Sequence, residues 1–152
     1  MTRELVIRRP QVGEYGSVRA LIETVANETF KELFAPNPVP LKFKDEDWPL
    51  SWVAVSDEKI VGVILTNREW VDDLWVLHEQ RRQGVGSRLL AQGEAEIVAR
   101  GYRICHLRVV RSNAVAVQFY VSQGWQIARE FAHEKYHHPM LEMAKPFPQQ
   151  SF

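Results

Sequence analysis

Two glycines one residue apart, Gly84 and Gly86, lie between an apolar, strand-like segment at residues 70–77 and a helical pattern. The first turn of a helix has backbone N–H groups without intrahelical partners, and the aligned peptide dipoles make that end positive. Glycines remove the Cβ atoms that would keep an anion away from those N–H groups, and Arg81, Arg82 and Arg88 add positive charge. The segment therefore predicts a site for phosphate or pyrophosphate.

The side chains of this segment exclude two common nucleotide-binding motifs. The dinucleotide-binding motif requires a third glycine where this sequence has Leu89. The P-loop requires Gly-Lys-Ser or Gly-Lys-Thr, and this sequence has Gly86-Ser87-Arg88. A different interpretation is a helix that simply begins at a glycine-rich turn and binds nothing. The glycines alone do not distinguish an anion-binding site from a plain turn.

Strand-like and helix-like segments alternate along the chain. A hairpin is predicted because two apolar runs flank the short polar turn Asp57-Glu58-Lys59. The predicted strands are 5–7, 52–55, 60–65, 70–77, 104–110 and 141–144, and the predicted helices are 18–33, 84–100 and 114–122. Three prolines within residues 35–40 predict a loop. These segments predict an α/β or α+β fold around a single sheet, and the length of 152 residues fits one domain, 1–152.

Composition limits the partners that this chain can have. Its 19 basic and 19 acidic side chains balance. The chain therefore lacks the excess of positive charge that would predict a nucleic-acid partner. The first residues are too polar for a signal peptide, and the apolar run at 60–65 is far too short to span a membrane. The single cysteine, Cys105, cannot form an internal disulfide. We therefore expect a cytoplasmic protein without a membrane or nucleic-acid partner.

A second segment, residues 113–125, makes the interpretation of the glycines more specific. It contains Asn113, an Ala at 116, Phe119-Tyr120 and Gly124-Trp125. Together with Arg81-x-x-Gly84-x-Gly86, it resembles the two signatures of the GNAT superfamily of acetyltransferases, in the family's order and with a spacing that fits one helix and one strand. Trp125 stands where the family usually has Phe. The resemblance extends more weakly over the whole chain.

The resemblance implies a fold and a co-substrate. The fold is a single mixed, mostly antiparallel sheet with splayed central strands and flanking helices, and the co-substrate is acetyl-CoA. The pantetheine arm would pair with the exposed backbone of one splayed strand, and Val76 N–H would polarise the thioester carbonyl. The cofactor-binding residues implied are Leu74, Trp75, Val76, Arg81, Arg82, Gln83, Gly84, Val85, Gly86, Ser87, Asn113 and Tyr120.

Two of these residues also have simpler interpretations. By the resemblance, Tyr120 is the acid that protonates the leaving thiolate, and a phenol with a pKa of about 10 carries its proton at neutral pH. The alternative is a core aromatic beside Phe119. Asn113 matches a position that contacts the cofactor, and it is also a suitable helix N-cap. The two roles of Asn113 are compatible.

The general base has no clear candidate in the sequence. Some relatives place a glutamate where this chain has Arg108, and an arginine cannot act as a base. Four carboxylates surround the strand at 70–77 and could act directly or through water: Glu69, Asp72, Asp73 and Glu79. Each is equally explained as a solvated charge.

Other aromatic and histidine residues have open roles. His133, His137 and His138 lack the ligand spacing of a metal site, so no metal is predicted; their loop, residues 132–139, could border the acceptor together with residues 30–48. Four tryptophans could line an acceptor pocket or simply pack: Trp48, Trp52, Trp70 and Trp75.

The sequence therefore predicts an N-acetyltransferase that moves the acetyl group of acetyl-CoA directly to a primary amine within a ternary complex. The acceptor would be a small molecule or a peptide, and the protein a monomer or a homodimer. The catalytic residues implied are Tyr120 and Val76. The alternative is a non-catalytic module that binds or senses acetyl-CoA.

Overall fold

Seven strands form one mixed sheet in the computed structural model, which describes residues 4–34, 45–80 and 83–148 but not the side chains of 30–34 and 45–47. The strands are β1 Leu5–Arg8, β2 Trp52–Ser56, β3 Lys59–Asn67, β4 Trp70–Val76, β5 Ile104–Val110, β6 Gln126–Ala132 and β7 Pro139–Pro146. Their order in the sheet is β1-β2-β3-β4-β5-β7-β6. The pair β4/β5 is parallel, whereas β1/β2, β2/β3, β5/β7 and β6/β7 are antiparallel. The predicted mixed, mostly antiparallel sheet is confirmed.

The described helices are α1 Tyr15–Phe34, α2 Val85–Ala99 and α3 Ala114–Ser122. Short 3-10 turns occupy Val12–Glu14, Asp45–Leu50 and His78–Gln80. Before α1, Gln11 N donates to Glu14 Oε1 at 2.8 Å, and the Arg8 guanidinium donates to both oxygens of that carboxylate. The Arg8 hydrogen bond, with that from Gln11, lowers the pKa of Glu14 to about 2. This junction fixes the direction in which the chain leaves β1.

The described residues group into two units. The first comprises those up to Thr66 together with Asp73–Gly93, and the second comprises Asn67–Asp72 together with those from Glu94 onward. The first unit is built on the apolar face of α1, which packs with residues of β2 and β3. Its core consists of Val18, Leu21, Ile22, Val25, Trp48, Val53, Ile60 and Val63. The predicted helical pattern therefore describes a buried helix face.

The second unit contains a buried ion pair. The Glu94 side chain is 8% exposed, and Lys145 Nζ donates to its Oε1 at 2.8 Å. Lys145 also donates to Gln123 O at 2.8 Å, and Trp125 Nε1 donates to Glu94 Oε2 at 3.3 Å. The added hydrogen bonds satisfy charges that would otherwise be costly to bury. Cys105 is a small residue buried in the core, and burial raises the pKa of its thiol to about 12.

Most predicted elements are confirmed, and two strands differ. No strand was predicted at β6, and the last strand, predicted at 141–144, extends over Pro139–Pro146. All but one residue of β6 are exposed, and charged residues such as Arg129 and Glu130 interrupt its alternation. An edge strand of this kind has little apolar signal. The predicted proline loop at 35–40 lies outside the described residues.

No helix in the part of the chain that the structure describes is long and apolar enough to cross a membrane.

Candidate functional site

The glycine segment forms a turn that leads directly into α2. Gly84 has φ +80°, which a residue with a Cβ rarely adopts, and α2 begins at the next residue. Arg88 N donates to Gly84 O at 3.1 Å as the first helical hydrogen bond. The N–H groups of Val85, Gly86 and Ser87 come before that bond and have no helical acceptor. The helix therefore presents donors and its positive dipole end to an anion.

The structure describes only some of the side chains around this turn. Arg81 and Arg82 lie outside the described residues. Gln83 is exposed, and its Nε2 donates to Glu79 O at 3.4 Å. The Arg88 guanidinium donates to Leu5 O at 2.9 Å, which links the first turns of α2 to β1.

Two glycines that sequence reasoning did not single out set the position of α2. A Cβ on Gly62 would lie 2.8 Å from Leu89 Cδ1 and 3.3 Å from Trp75 O. A Cβ on Gly93 would lie 2.5 Å from Ile64 Cδ1. Both distances to side-chain carbons are too short for ordinary packing, so α2 lies on β3 only because these positions lack side chains. No local sequence signal identifies them, because the reason is a contact between separate elements.

The backbone of β4 has a defined orientation near its end. The register of β4 with β5 comprises Trp70↔His106 and Val71↔Leu107, and β4 then continues to Val76. Leu77 N donates to Val61 O on β3 at 2.9 Å. Because N–H groups of successive strand residues point to opposite edges, the N–H of Val76 points to the edge of β4 away from β3.

The side chain of Trp75 is held by packing and by one hydrogen bond. Its side chain packs against the core of the first unit, and its Nε1 donates to Asp73 Oδ1 at 3.0 Å. Trp48 is buried in the same core, and Trp52 stacks under the Arg9 guanidinium at 3.9 Å. For Trp48 and Trp75, the packing interpretation is therefore confirmed.

Asn113 and Tyr120 lie at the two ends of α3, in the second unit. Asn113 Oδ1 accepts a hydrogen bond from Ala116 N at 3.3 Å, so Asn113 is the N-cap of α3. Tyr120 is half-buried, with its ring centroid 5.4 Å from Phe119 and 6.0 Å from Trp125. The Tyr120 carbonyl accepts hydrogen bonds from Gln123 N and Trp125 N, both at 3.0 Å. The buried Glu94–Lys145 pair, through Gln123, anchors the same helix end.

A cleft of about 320 Å³ in the second unit is lined by Trp70, Val71, Asp72 and Arg108. It lies where β4 and β5 form their two registered pairs. Its lining combines an indole ring, an aliphatic side chain, a carboxylate and a guanidinium. A space of this size and mixed chemistry suits a small molecule or the end of a chain.

The structure separates the four carboxylates that the sequence proposed as bases. Asp72 lines the cleft. Asp73 accepts from the Trp75 indole, and Glu79 lies 4.0 Å from Lys59 Nζ. The Glu69 carbonyl accepts from His106 N at 2.8 Å in the strand pairing. Of the four carboxylates, Asp72 is therefore the one in the described lining of the cleft.

The histidines form a ring stack in the loop between β6 and β7. His133 Nδ1 accepts hydrogen bonds from Lys135 N and Tyr136 N at 3.1 Å, and the His133 and His138 rings stack at 4.8 Å. Burial and the neighbouring His133 lower the pKa of His138. His137 is exposed with φ +62°. Among the described residues, no group of three or more metal-ligating side chains comes together.

The described lining of the 320 Å³ cleft comes from β4 and β5 and does not include these histidines. Their expected place beside the acceptor stays a prediction. The loop reaches that lining indirectly, because Glu134 Oε1 lies 3.4 Å from Arg108 NH1. Most of the other proposed acceptor loop, residues 30–48, lies outside the described residues or their described side chains.

Comparison with known proteins identifies the family. The sequence matches the acetyltransferase (GNAT) family over residues 19–125, which is well over half of the chain. The protein therefore belongs to the GNAT family of acetyltransferases, and the resemblance is confirmed. The comparison with curated proteins found no match.

Solved structures agree with this fold over nearly their whole length. Ard1 from Thermoplasma volcanium is 18% identical, with a TM-score of 0.74 and coverage of 95% of this chain and 99% of that one. Arabidopsis thaliana Naa50, in complex with the bisubstrate analogue CoA-Ac-MVNAL, is 16% identical, with a TM-score of 0.72 and coverage of 94% and 99%. The PaiA N-acetyltransferase from Thermoplasma acidophilum, in complex with coenzyme A, is 20% identical, with a TM-score of 0.67 and coverage of 95% and 99%.

Proposed function

We propose that this protein transfers the acetyl group of acetyl-CoA directly to a primary amine, and that residues 1–152 form one catalytic domain. The main support is the glycine turn at Gly84, which leads directly into the first turn of α2. The N–H of Val76, at the end of β4, points away from β3. Family membership supports an acyltransferase. The structures of Naa50 and PaiA hold a CoA analogue and coenzyme A, which supports the same co-substrate here.

The pyrophosphate would bind at the start of α2. Gly84 lets the chain turn there, and the unpaired N–H groups of the first turn complement the negative charge. The residues assigned to this part of the coenzyme are Arg81, Arg82, Gln83, Gly84, Val85, Gly86 and Ser87. Asn113 would contact the coenzyme as well, with the side-chain amide that its capping bond leaves available.

The pantetheine arm would pair with the backbone of Leu74, Trp75 and Val76. Its amides can bond to strand backbone groups as an added strand would. The N–H of Val76 would then donate to the thioester carbonyl oxygen and stabilise the negative charge that develops on it.

The reaction requires a neutral amine and a protonated leaving group. The amine nitrogen attacks the carbonyl carbon, and the tetrahedral intermediate collapses with cleavage of the C–S bond. Tyr120 gives its phenolic proton to the thiolate, and the proton lost by the amine ultimately returns to the tyrosinate through solvent. The products are an N-acetylated amine and free CoA.

Asp72 would bind the incoming amine in the cleft. A carboxylate attracts an ammonium group and can accept its proton directly or through one water. An alkyl amine with a pKa near 10 is only about 0.1% neutral at pH 7, so the rate should increase with pH toward the pKa of the amine.

Release of free thiol from acetyl-CoA in the presence of a panel of amines tests the proposal. Amine-dependent thiol release with an N-acetylated product is the expected result. Binding of CoA without release for any amine in the panel would favour the non-catalytic module instead.

A further inference from the structure

Arg108 lies at the wall of the cleft, next to two aromatic rings. Its guanidinium carbon lies 5.2 Å from the centroid of the Trp70 ring and 5.4 Å from that of Phe131. Two aromatic faces restrict the side chain without using its N–H donors. Arg108 lies in the cleft lining beside Trp70, Val71 and Asp72. The cleft therefore contains a positioned cation with donors available to a ligand.

The ion pair between Arg108 and Glu134 is weak. Glu134 Oε1 lies 3.4 Å from NH1, and the side chains of Arg108 and Glu134 are 46% and 81% exposed. Exposed pairs of this kind contribute little, because solvent screens them and ordering two long side chains is costly. A ligand carboxylate that binds the guanidinium through two parallel hydrogen bonds would replace Glu134 with better geometry. Glu134 thus occupies, with poorer geometry, a position that a ligand anion could take beside Arg108.

We propose that the amine acceptor of this enzyme also carries a carboxylate, and that Arg108 is the residue that recognises it. The inference rests on the proposed function and specifies its substrate class. The opposite charges of Asp72 and Arg108 complement an ammonium group and a carboxylate on one molecule. Trp70 and Val71 supply apolar surface for the rest of that molecule.

Two sources supply this chemistry, and they differ in size. A free amino acid carries an α-carboxylate next to its amine, whereas a peptide has its carboxylate on an acidic side chain near the N-terminus. Both carry an anion on the same molecule as the reacting amine, but the anion lies farther from the amine in the peptide. The shared group is the carboxylate, and the acceptor arms of the experiment distinguish the sources.

Binding of the acetylated products tests Arg108 independently of turnover. We would titrate the wild-type protein, in the presence of CoA, with N-acetyl-leucine and N-acetyl-leucinamide, and with acetyl-Ala-Glu-amide and acetyl-Ala-Gln-amide. Loss of a charged hydrogen-bonding pair predicts roughly a tenfold to hundredfold weaker binding for the neutral member of the preferred pair. Arg108→Gln should remove that preference, and Arg108→Lys should keep part of it.

Arg129→Gln is the matched control. Arg129 also stacks on Phe131, at 4.6 Å, but pairs with Glu142 and is not part of the cleft lining. This variant loses the same charge and should retain the preference for the carboxylate. Circular dichroism of each variant checks that it folds. Equal binding of both members of both pairs to the wild type, no detectable binding of any of the four ligands, or a preference that survives Arg108→Gln, would overturn the inference.

Turnover with leucine, leucinamide and the unacetylated dipeptide amides gives the second readout. The amines differ in pKa, so the comparison is the acid-to-amide ratio of kcat/KM in the wild type divided by that ratio in Arg108→Gln. A value well above one supports the inference, and a value of one contradicts it. Arg108-dependent carboxylate binding without any turnover would support the inference while rejecting the proposed acetyl transfer.

Discussion

Tyr120 is a half-buried phenol on α3 whose position is fixed on two sides. Phe119 and Trp125 contact its ring, and its carbonyl accepts the hydrogen bonds that end the helix. A core aromatic residue would be buried, whereas this ring is partly accessible. The packing contacts on α3 therefore position the ring of Tyr120, which remains partly exposed.

Tyr120→Phe should keep the affinity for acetyl-CoA and lower kcat. The substitution retains the ring contacts and removes only the proton donor, and loss of a general acid typically costs on the order of a hundredfold or more. Titration with CoA and thiol-release kinetics measure the two effects separately. Tyr102→Phe removes a phenol at a site with no assigned role and serves as the control. A normal kcat in Tyr120→Phe would mean that the thiolate leaves without this acid.

The position of α2 depends on the absence of side chains on both contacting elements. Gly62 on β3 and Gly93 on α2 face Leu89 and Ile64, which are fully buried and have little room to move. The first turn of α2, which is proposed to bind the pyrophosphate, therefore depends on packing behind it.

Gly62→Ala should destabilise the protein by about 1–3 kcal/mol, because the added methyl group overpacks the contact with Leu89 and the Trp75 carbonyl. It should also weaken CoA binding, because α2 must shift. Urea denaturation and CoA titration measure these effects. Gly16→Ala is the control: a Cβ there meets nothing within 4 Å, and its helical position predicts unchanged or slightly higher stability. Equal unfolding midpoints for Gly62→Ala and the wild type would refute this packing argument.

Across the whole molecule, the features that the sequence predicts are those determined by residues close together in the chain. Asn113 and Gly124 mark the two ends of α3, and the structure has an N-cap bond at the first and φ +94° at the second. Family signatures predict the fold and the glycine turn. The requirement for Gly62 and the meeting of Trp70 with Arg108 were not predicted, because both result from contacts between residues far apart in the sequence. The exposed strand β6 has too little apolar alternation to be recognised.

The proposed activity requires that the first turn of α2 binds the pyrophosphate of acetyl-CoA. Gly86 is the second residue of α2, and Gly16 is the second residue of α1. An aspartate is favourable in the first turn of either helix, so Gly86→Asp and Gly16→Asp should both fold.

Isothermal titration of CoA into these two variants and the wild type tests the claim most directly. We expect Gly86→Asp to lose detectable CoA binding, because its carboxylate would occupy and repel the phosphate site, and Gly16→Asp to bind as the wild type does. Unchanged CoA affinity in a folded Gly86→Asp protein would show that the pyrophosphate does not bind at the first turn of α2.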